Sequence, residues 1–229
     1  MKLKITTSNL TANNMHIEDH DHDFDDSHIG TPLRNDAFEK TDEQKIEIIQ
    51  EHFKAIMETL GLDLNDDSLN GTPKRVAKMY VKEMFWGLNP ENKPEVSHFK
   101  NNFRYNEMLV EKDIHFYTNC EHHFVPFFGN AHIAYIPNGK VIGLSKLNRI
   151  VEYFAKRPQV QERMTMQISN ELKKILGTDN VAIIINAKHL CVASRGIKDN
   201  SSHTTTSEYS GRYNDPETRN ELHRLLALK

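Results

Sequence analysis

Between Glu43 and Leu60 apolar residues recur at helical spacing. Ile46, Ile49, Phe53, Ile56, Met57 and Leu60 share one face, and Gly61 stops the run. An amphipathic helix is predicted there. A second helix is predicted from Thr72-Pro73, read as a capping hydroxyl followed by proline in the first turn, carrying Val76, Met79, Tyr80 and Trp86 toward Gly87. The stretch from Asn89 to Asn106, with Pro90 and Pro94, reads as a connection. Short runs rich in aromatic and β-branched residues follow, at Ile114 to Thr118, Ala131 to Ile136 and Val181 to Ile185, and these predict strands. Two helical patterns lie between the second and third of them: Leu147/Ile150/Val151/Phe154 ahead of Pro158, and Val160/Met164/Ile168/Leu172/Ile175 up to Gly177. Thr204 to Tyr209 supplies a last strand, and Asp215-Pro216-Glu217 opens a closing helix with Leu222, Leu225 and Leu226. The order implies an α+β chain with a mostly antiparallel sheet.

Composition changes this picture in one place. The chain of 229 residues has 29 Lys+Arg and 32 Asp+Glu, ordinary for a soluble globular protein. The acidic excess, however, is concentrated in residues 1–40, with four basic residues against eight acidic ones. Within it, His16 to His28 packs six carboxylates and four imidazoles with almost nothing to bury, so a disordered tail is expected. The remaining body is close to neutral, which argues against a nucleic-acid partner, since a basic face is missing. Mean hydropathy of -0.64, with no apolar run near the ~20 residues of a spanning helix, argues against a membrane protein. The N-terminus lacks an apolar stretch of signal-peptide type, so a cytoplasmic location is expected.

The candidate chemistry lies in Cys120-Glu121-His122-His123 and in the distant His189-Leu190-Cys191. A cysteine with a histidine three positions later can close a knuckle around one ion, and a thiolate from elsewhere would complete a Cys2His set. Structural zinc sites use four protein ligands, whereas three ligands plus water is the catalytic arrangement, with the bound water's pKa lowered to about 7. If Leu190 continues a strand, His189 and Cys191 project to the same face, and His189 stands beside the metal as a proton carrier, as does His122. The competing reading is that Cys191 is a buried small hydrophobe.

Four strings then carry a resemblance: GTPKRVAKM (71–79), CEHHFVPFFG (120–129), AYIPNGKVIGLSKLNRIVEYFAKRPQVQERMTMQI (134–168) and HLCVASRGI (189–197). Together they strongly resemble GTP cyclohydrolase I over about residues 41–229, with the acidic tail outside. The resemblance implies conversion of GTP and water to formate and 7,8-dihydroneopterin triphosphate, the entry to folate and biopterin synthesis. It implies a Zn2+ cofactor on Cys120, His123 and Cys191, whose hydroxide adds to C8 of guanine once His189 has protonated N7. His122 then carries a proton during formamide hydrolysis, and Ser145 and Gln161 match positions implicated in the later rearrangement and ring closure. Guanine offers two donors on one edge, N1–H and the exocyclic amine, and a carboxylate accepts both as a fork, so Glu162 is the expected base reader. Arg75, Lys78, Lys146, Arg149 and Arg195 match positions that hold the triphosphate, assisted by the helix opening at Ser145.

The same resemblance implies the tunnelling fold, a four-stranded antiparallel sheet with two crossover helices, preceded by N-terminal helices. The expected divisions are the tail at 1–40, a helical region at 41–95 and the catalytic domain at 96–229. It further implies a toroidal homodecamer with active sites between neighbouring subunits. Asn119 departs from the serine commoner before the cysteine. Two alternatives compete. A nucleobase deaminase would need HxE followed by PCxxC, which the chain lacks. A catalytically silent member, serving as a binding module with structural zinc, would be expected to have lost His122, His189 or Glu162, and all three are present.

Overall fold

A computed structural model describes residues 29–228, and the acidic segment His16 to His28 lies outside them. Helix α1, Asp42–Thr59, begins at a reciprocal cap: Thr41 Oγ1 accepts the Gln44 N–H at 3.3 Å, and Gln44 Oε1 accepts the Thr41 N–H at 2.9 Å. Gly61, at φ +81°, ends it in a conformation that glycine adopts without steric cost. Of its apolar stripe only Met57 is buried, and Ile56 and the following Leu60 are exposed.

The second predicted helix is shorter and less regular than its pattern suggests. Helix α2 spans Thr72–Met79, followed by a π-helical turn at Tyr80–Met84 and a 3-10 turn at Trp86–Leu88. Gly71 takes the capping position, and the Thr72 hydroxyl instead accepts from Arg75 Nη2 at 2.7 Å. The turn at Gly87 presses on the end of helix α3, Leu144–Ala155. Gly87 N–H donates to Lys156 O at 2.9 Å, and a Cβ there would sit 2.1 Å from Tyr153 O.

The presumed connection 89–106 also contains structure. A 3-10 turn spans Pro90–Asn92, and a three-residue strand β1, His98–Lys100, pairs antiparallel with β4, Lys140–Ile142. The main sheet runs β5-β2-β3-β6-β7, with β2 Leu109–Cys120, β3 Pro126–Tyr135, β5 Pro158–Gln159, β6 Val181–His189 and β7 Thr204–Tyr209. The expected four antiparallel strands are present. The added fifth, β5, is two residues long and parallel to the end of β2.

Helix α3 and helix α4, Gln161–Leu176, lie between β4 and β6 in sequence and cover one face of the sheet. Leu147, Ile150, Met164, Ile168 and Leu172 from the helices meet Phe116, Phe127, Ile133, Ile183 and Ile185 from the strands in one core. Alternation along β2 puts Ile114, Phe116 and Thr118 inward, and His115 and Tyr117 outward. Helix α6, Pro216–Ala227, starts at the Asp215 cap, whose Oδ2 accepts the Thr218 N–H at 2.8 Å, and closes a smaller cluster around Tyr213 and Leu222.

Candidate active site

At the end of β2 the chain reverses around Cys120. The Cys120 carbonyl accepts the Phe124 N–H at 2.8 Å, and the Cys120 N–H donates to Val125 O at 2.9 Å. This knuckle is tight enough to hold Phe124 at φ +53°, a left-handed conformation uncommon outside glycine. Glu121, one step into the turn, is fixed twice: its N–H donates to Gln159 O at 3.0 Å, and its carboxylate receives Arg163 Nη1 at 2.5 Å and Nη2 at 3.1 Å. The Arg163 guanidinium holds the Glu121 carboxyl below the usual carboxylate range. The site is thereby tied to the first turn of α4.

The second cysteine arrives differently from the strand-based expectation. Strand β6 ends at His189, and Leu190–Ala193 form a single helical turn, α5, so Cys191 does not sit two residues along a strand from His189. The turn still delivers it. One ligand atom each from Cys120, His123 and Cys191 lies within 4.8 Å of the other two. A tetrahedral ion with bonds of about 2.0–2.3 Å spaces its ligands roughly 3.5 Å apart, so the group needs only a small contraction to close on one.

Both cysteines are free thiols, Cys120 buried and Cys191 half-buried. Burial, then hydrogen bonding and repulsion from the Cys120 sulfur, push the Cys191 thiol up. Two sulfurs so close retain a proton unless a cation replaces it, which is the behaviour of a metal-ligand pair.

Around the cluster, His122 Nδ1 lies 3.6 Å from Cys120 Sγ, and Arg195 Nη1 lies 3.0 Å from His123 Nε2. His189 stacks on Phe127 with centroids 4.4 Å apart and planes 9° from parallel, and its Nε2 is 2.8 Å from Gln161 Oε1. Burial lowers the His189 imidazole below its ordinary range, and the negative charge of Glu162 opposes that shift. Glu162 itself is exposed in the first turn of α4.

The expected triphosphate residues other than Arg195 are not drawn to this cluster within the subunit. Arg75 Nη2 donates to Ser68 O at 3.0 Å and to the Thr72 hydroxyl, Lys146 Nζ donates to Glu95 O at 2.8 Å, and Lys78, Ser145 and Arg149 are exposed. They occupy α2 and the first turns of α3. The sequence reading omits the Glu121–Arg163 fork and the Phe127 stack. Both lie inside matching strings, Arg163 after Glu162 in PQVQER and Phe127 in CEHHFVPFFG, but the stack itself follows only from the register that sets Phe127 opposite His189.

Two sulfurs and an imidazole converging beside a second histidine form a group that could hold one metal ion. A family model described as GTP cyclohydrolase I matches residues 49–227. The chain is 60% identical over 209 residues to GTP cyclohydrolase 1 of Flavobacterium johnsoniae, covering 90% of this chain and 94% of that protein. It is 54% identical over 195 residues to GTP cyclohydrolase 1 of Aeromonas salmonicida, covering 85% and 88%, and 50% identical over 199 residues to that of Yersinia enterocolitica, covering 86% and 90%. The chain belongs to the GTP cyclohydrolase I family.

Proposed function

We propose that the chain hydrolyses and rearranges GTP to formate and 7,8-dihydroneopterin triphosphate, feeding folate or biopterin synthesis. Family membership makes it a GTP cyclohydrolase, favoured over both the silent binding module and the deaminase. The observation that carries the detailed reading is the convergence of Cys120, His123 and Cys191 beside His189. A donor set of two sulfurs and one nitrogen suits zinc, which when bound supplies hydroxide near neutral pH.

The chain's own side chains divide the remaining work. Glu162, exposed on the first turn of α4, accepts N1–H and the exocyclic amine of guanine and so fixes the base. His189, held in plane by Phe127, donates a proton at N7 and makes C8 electrophilic. His122, at the rim of the knuckle, carries a proton during opening and loss of C8 as formate. Gln161 and Ser145 serve the later rearrangement. Arg195 from this cluster, with Arg75, Lys78, Lys146 and Arg149, binds the triphosphate.

The last four lie on α2 and α3 rather than at the cluster, which agrees with sites completed between subunits. A tunnelling fold assembled as a toroidal homodecamer would also cover apolar side chains that one subunit leaves bare, such as Phe103 at 96% and Ile197 at 84% exposure. Residues 96–229 form the catalytic domain in this reading, with 41–95 as a helical region before it. No helix among the described residues is long and apolar enough to cross a membrane, in keeping with a cytoplasmic enzyme. Incubating purified zinc-loaded protein with GTP tests the proposal: formate and a pterin chromophore should appear together. GTP recovered unchanged after tight binding would overturn it in favour of the silent module.

A further inference from the structure

Where α3 gives way to β5, Arg157 lines a cavity of about 250 Å3 that is walled also by Ile29, Thr31, Lys93, Gln167, Glu171 and Lys174. No residue of the Cys120 cluster borders it, nor any expected for the triphosphate. The Arg157 Cζ sits over two rings, 4.5 Å from the centroid of Tyr153 and 4.8 Å from that of Phe154, and Nη1 donates to Thr31 Oγ1 at 3.3 Å. A hydrogen bond with the Tyr153 side chain is its other polar contact. Nε is sealed from solvent and has no acceptor. Among the described residues, then, two hydroxyls are all the acceptors that this fork of donors meets.

A charge taken out of water is costly unless an opposite charge meets it. Burial accordingly pushes the Arg157 guanidinium below its ordinary range, with Tyr153 and Glu171 opposing the shift, yet a guanidinium stays protonated at neutral pH. Glu171 acts only from a distance, because its carboxylate is held by Lys93 at 2.6 Å. The lining thus holds three cations, Lys93, Arg157 and Lys174, against the one carboxylate of Glu171, an excess of two positive charges.

We propose that this cavity is an oxyanion site, in which Arg157 receives the oxygens of a phosphate or carboxylate group that also faces Lys93 and Lys174. The planar fork of a guanidinium suits two oxygens of one group, and a dianion balances the excess charge of the lining. A free phosphate is one source of this chemistry. The chain itself is another, since Asp25 and Asp26 stand four and three residues before Ile29 in sequence, a reach of at most about 14 Å. The site also borders the metal knuckle. Arg157 O accepts the Thr118 hydroxyl at 3.1 Å, and the next two residues, Pro158 and Gln159, pair with Asn119 and Cys120. An anion gripping Arg157 would steady the end of β2 that carries Cys120.

Magic-angle-spinning 15N NMR of the zinc-loaded full-length protein, labelled at arginine, watches the site while inorganic phosphate is added. The Arg157 side-chain signal is assigned by its contact with the Tyr153 ring and by its loss in Arg157→Lys. Phosphate held at the candidate active site would move Arg195 and leave Arg157 in place. A saturable shift of Arg157 in the wild type supports the site with free phosphate as its occupant. A shift that needs Asp25→Asn with Asp26→Asn supports it with the chain's own carboxylates as the occupant. In whichever protein responds, Glu171→Gln removes the opposing charge and should lower the phosphate midpoint by about threefold or more. An Arg157 signal that stays still in both proteins, that drifts without saturating, or whose midpoint ignores Glu171→Gln overturns the proposal. The spectrum needs no turnover, so its outcome is independent of whether the protein releases formate from GTP.

Discussion

Arg195 Nη1 stands 3.0 Å from Nε2 of His123, a contact in which the guanidinium can only donate and the ring nitrogen must offer its lone pair. That lone pair is lost if His123 serves as a metal ligand. Coordination through Nε2 uses it directly, and coordination through Nδ1 puts a hydrogen on Nε2. In the proposed reading, a metal held by His123 would free Arg195 for an incoming anion. Arg195→Ala is expected to keep its metal in full and to raise KM for GTP by about tenfold, the scale of one charge-assisted hydrogen bond. Metal analysis beside steady-state kinetics checks both halves, and loss of metal in this variant would show that Arg195 supports the ligand set instead.

The fork between Arg163 and Glu121 braces the knuckle that carries His123. Arg163→Met removes both hydrogen bonds and leaves Glu121 without its cation. Metal affinity should weaken by about 10–100-fold, as is usual when a supporting partner of a metal site is lost. Competition with a chromophoric chelator measures it. An unchanged affinity would mean that the backbone bonds around Cys120 suffice to hold the turn.

Gly129 pairs with Ala187 across β3 and β6, and a Cβ there would sit 1.9 Å from Asn186 O and 2.7 Å from Ala187 Cα. Backbone must move to admit it. Gly129→Ala should cost about 2 kcal/mol or more, read from the denaturant midpoint, with kcat falling as well because the same register sets Phe127 opposite His189. A neutral substitution would mean the two strands separate at little cost.

His132 gives the fold a dependence on acid. Its Nδ1 accepts the backbone N–H of Asp113 at 3.1 Å, at a bulge where Asp113 takes φ +59°. Burial lowers the affinity of this ring for a proton, Lys112 adds to the effect and the Asp113 carboxylate opposes it. Between the lowered value and about 6.5 the unfolded chain holds more protons on this group than the folded one, so its contribution is intact above about pH 6.5 and is lost as the pH falls. His132→Asn keeps an acceptor near the same place without titrating. Its urea midpoint should fall less than the wild type's from about pH 7.5 to 5.5, and equal slopes would assign the acid sensitivity elsewhere.

How much of this is legible in one chain depends on how local each feature is. The Cys120–His123 knuckle is local, and its spacing announces it. The helices α3 and α4 are equally plain, since each carries several turns of apolar period and a clear stop, Gly177 at φ +63° for α4. The three-residue strands β1 and β4 carry no alternation to read, and the π-helical turn after α2 has the same composition as a regular helix. Leu190-Cys191-Val192 has the residues of a strand yet folds as a helical turn, because β6 runs out at His189 and has no further partner on β3 beyond Phe127. Least visible is the set of partners around Gln161, which come from β6, β7 and α4 and meet only after the sheet has formed.

Bound metal per chain in Cys191→Ala, set against the wild type, probes the ligand set most directly. The wild type should carry about one zinc per subunit and release formate from GTP, and the variant, folded by circular dichroism, should carry almost none and release none. A folded Cys191→Ala protein with a full complement of zinc would contradict the account.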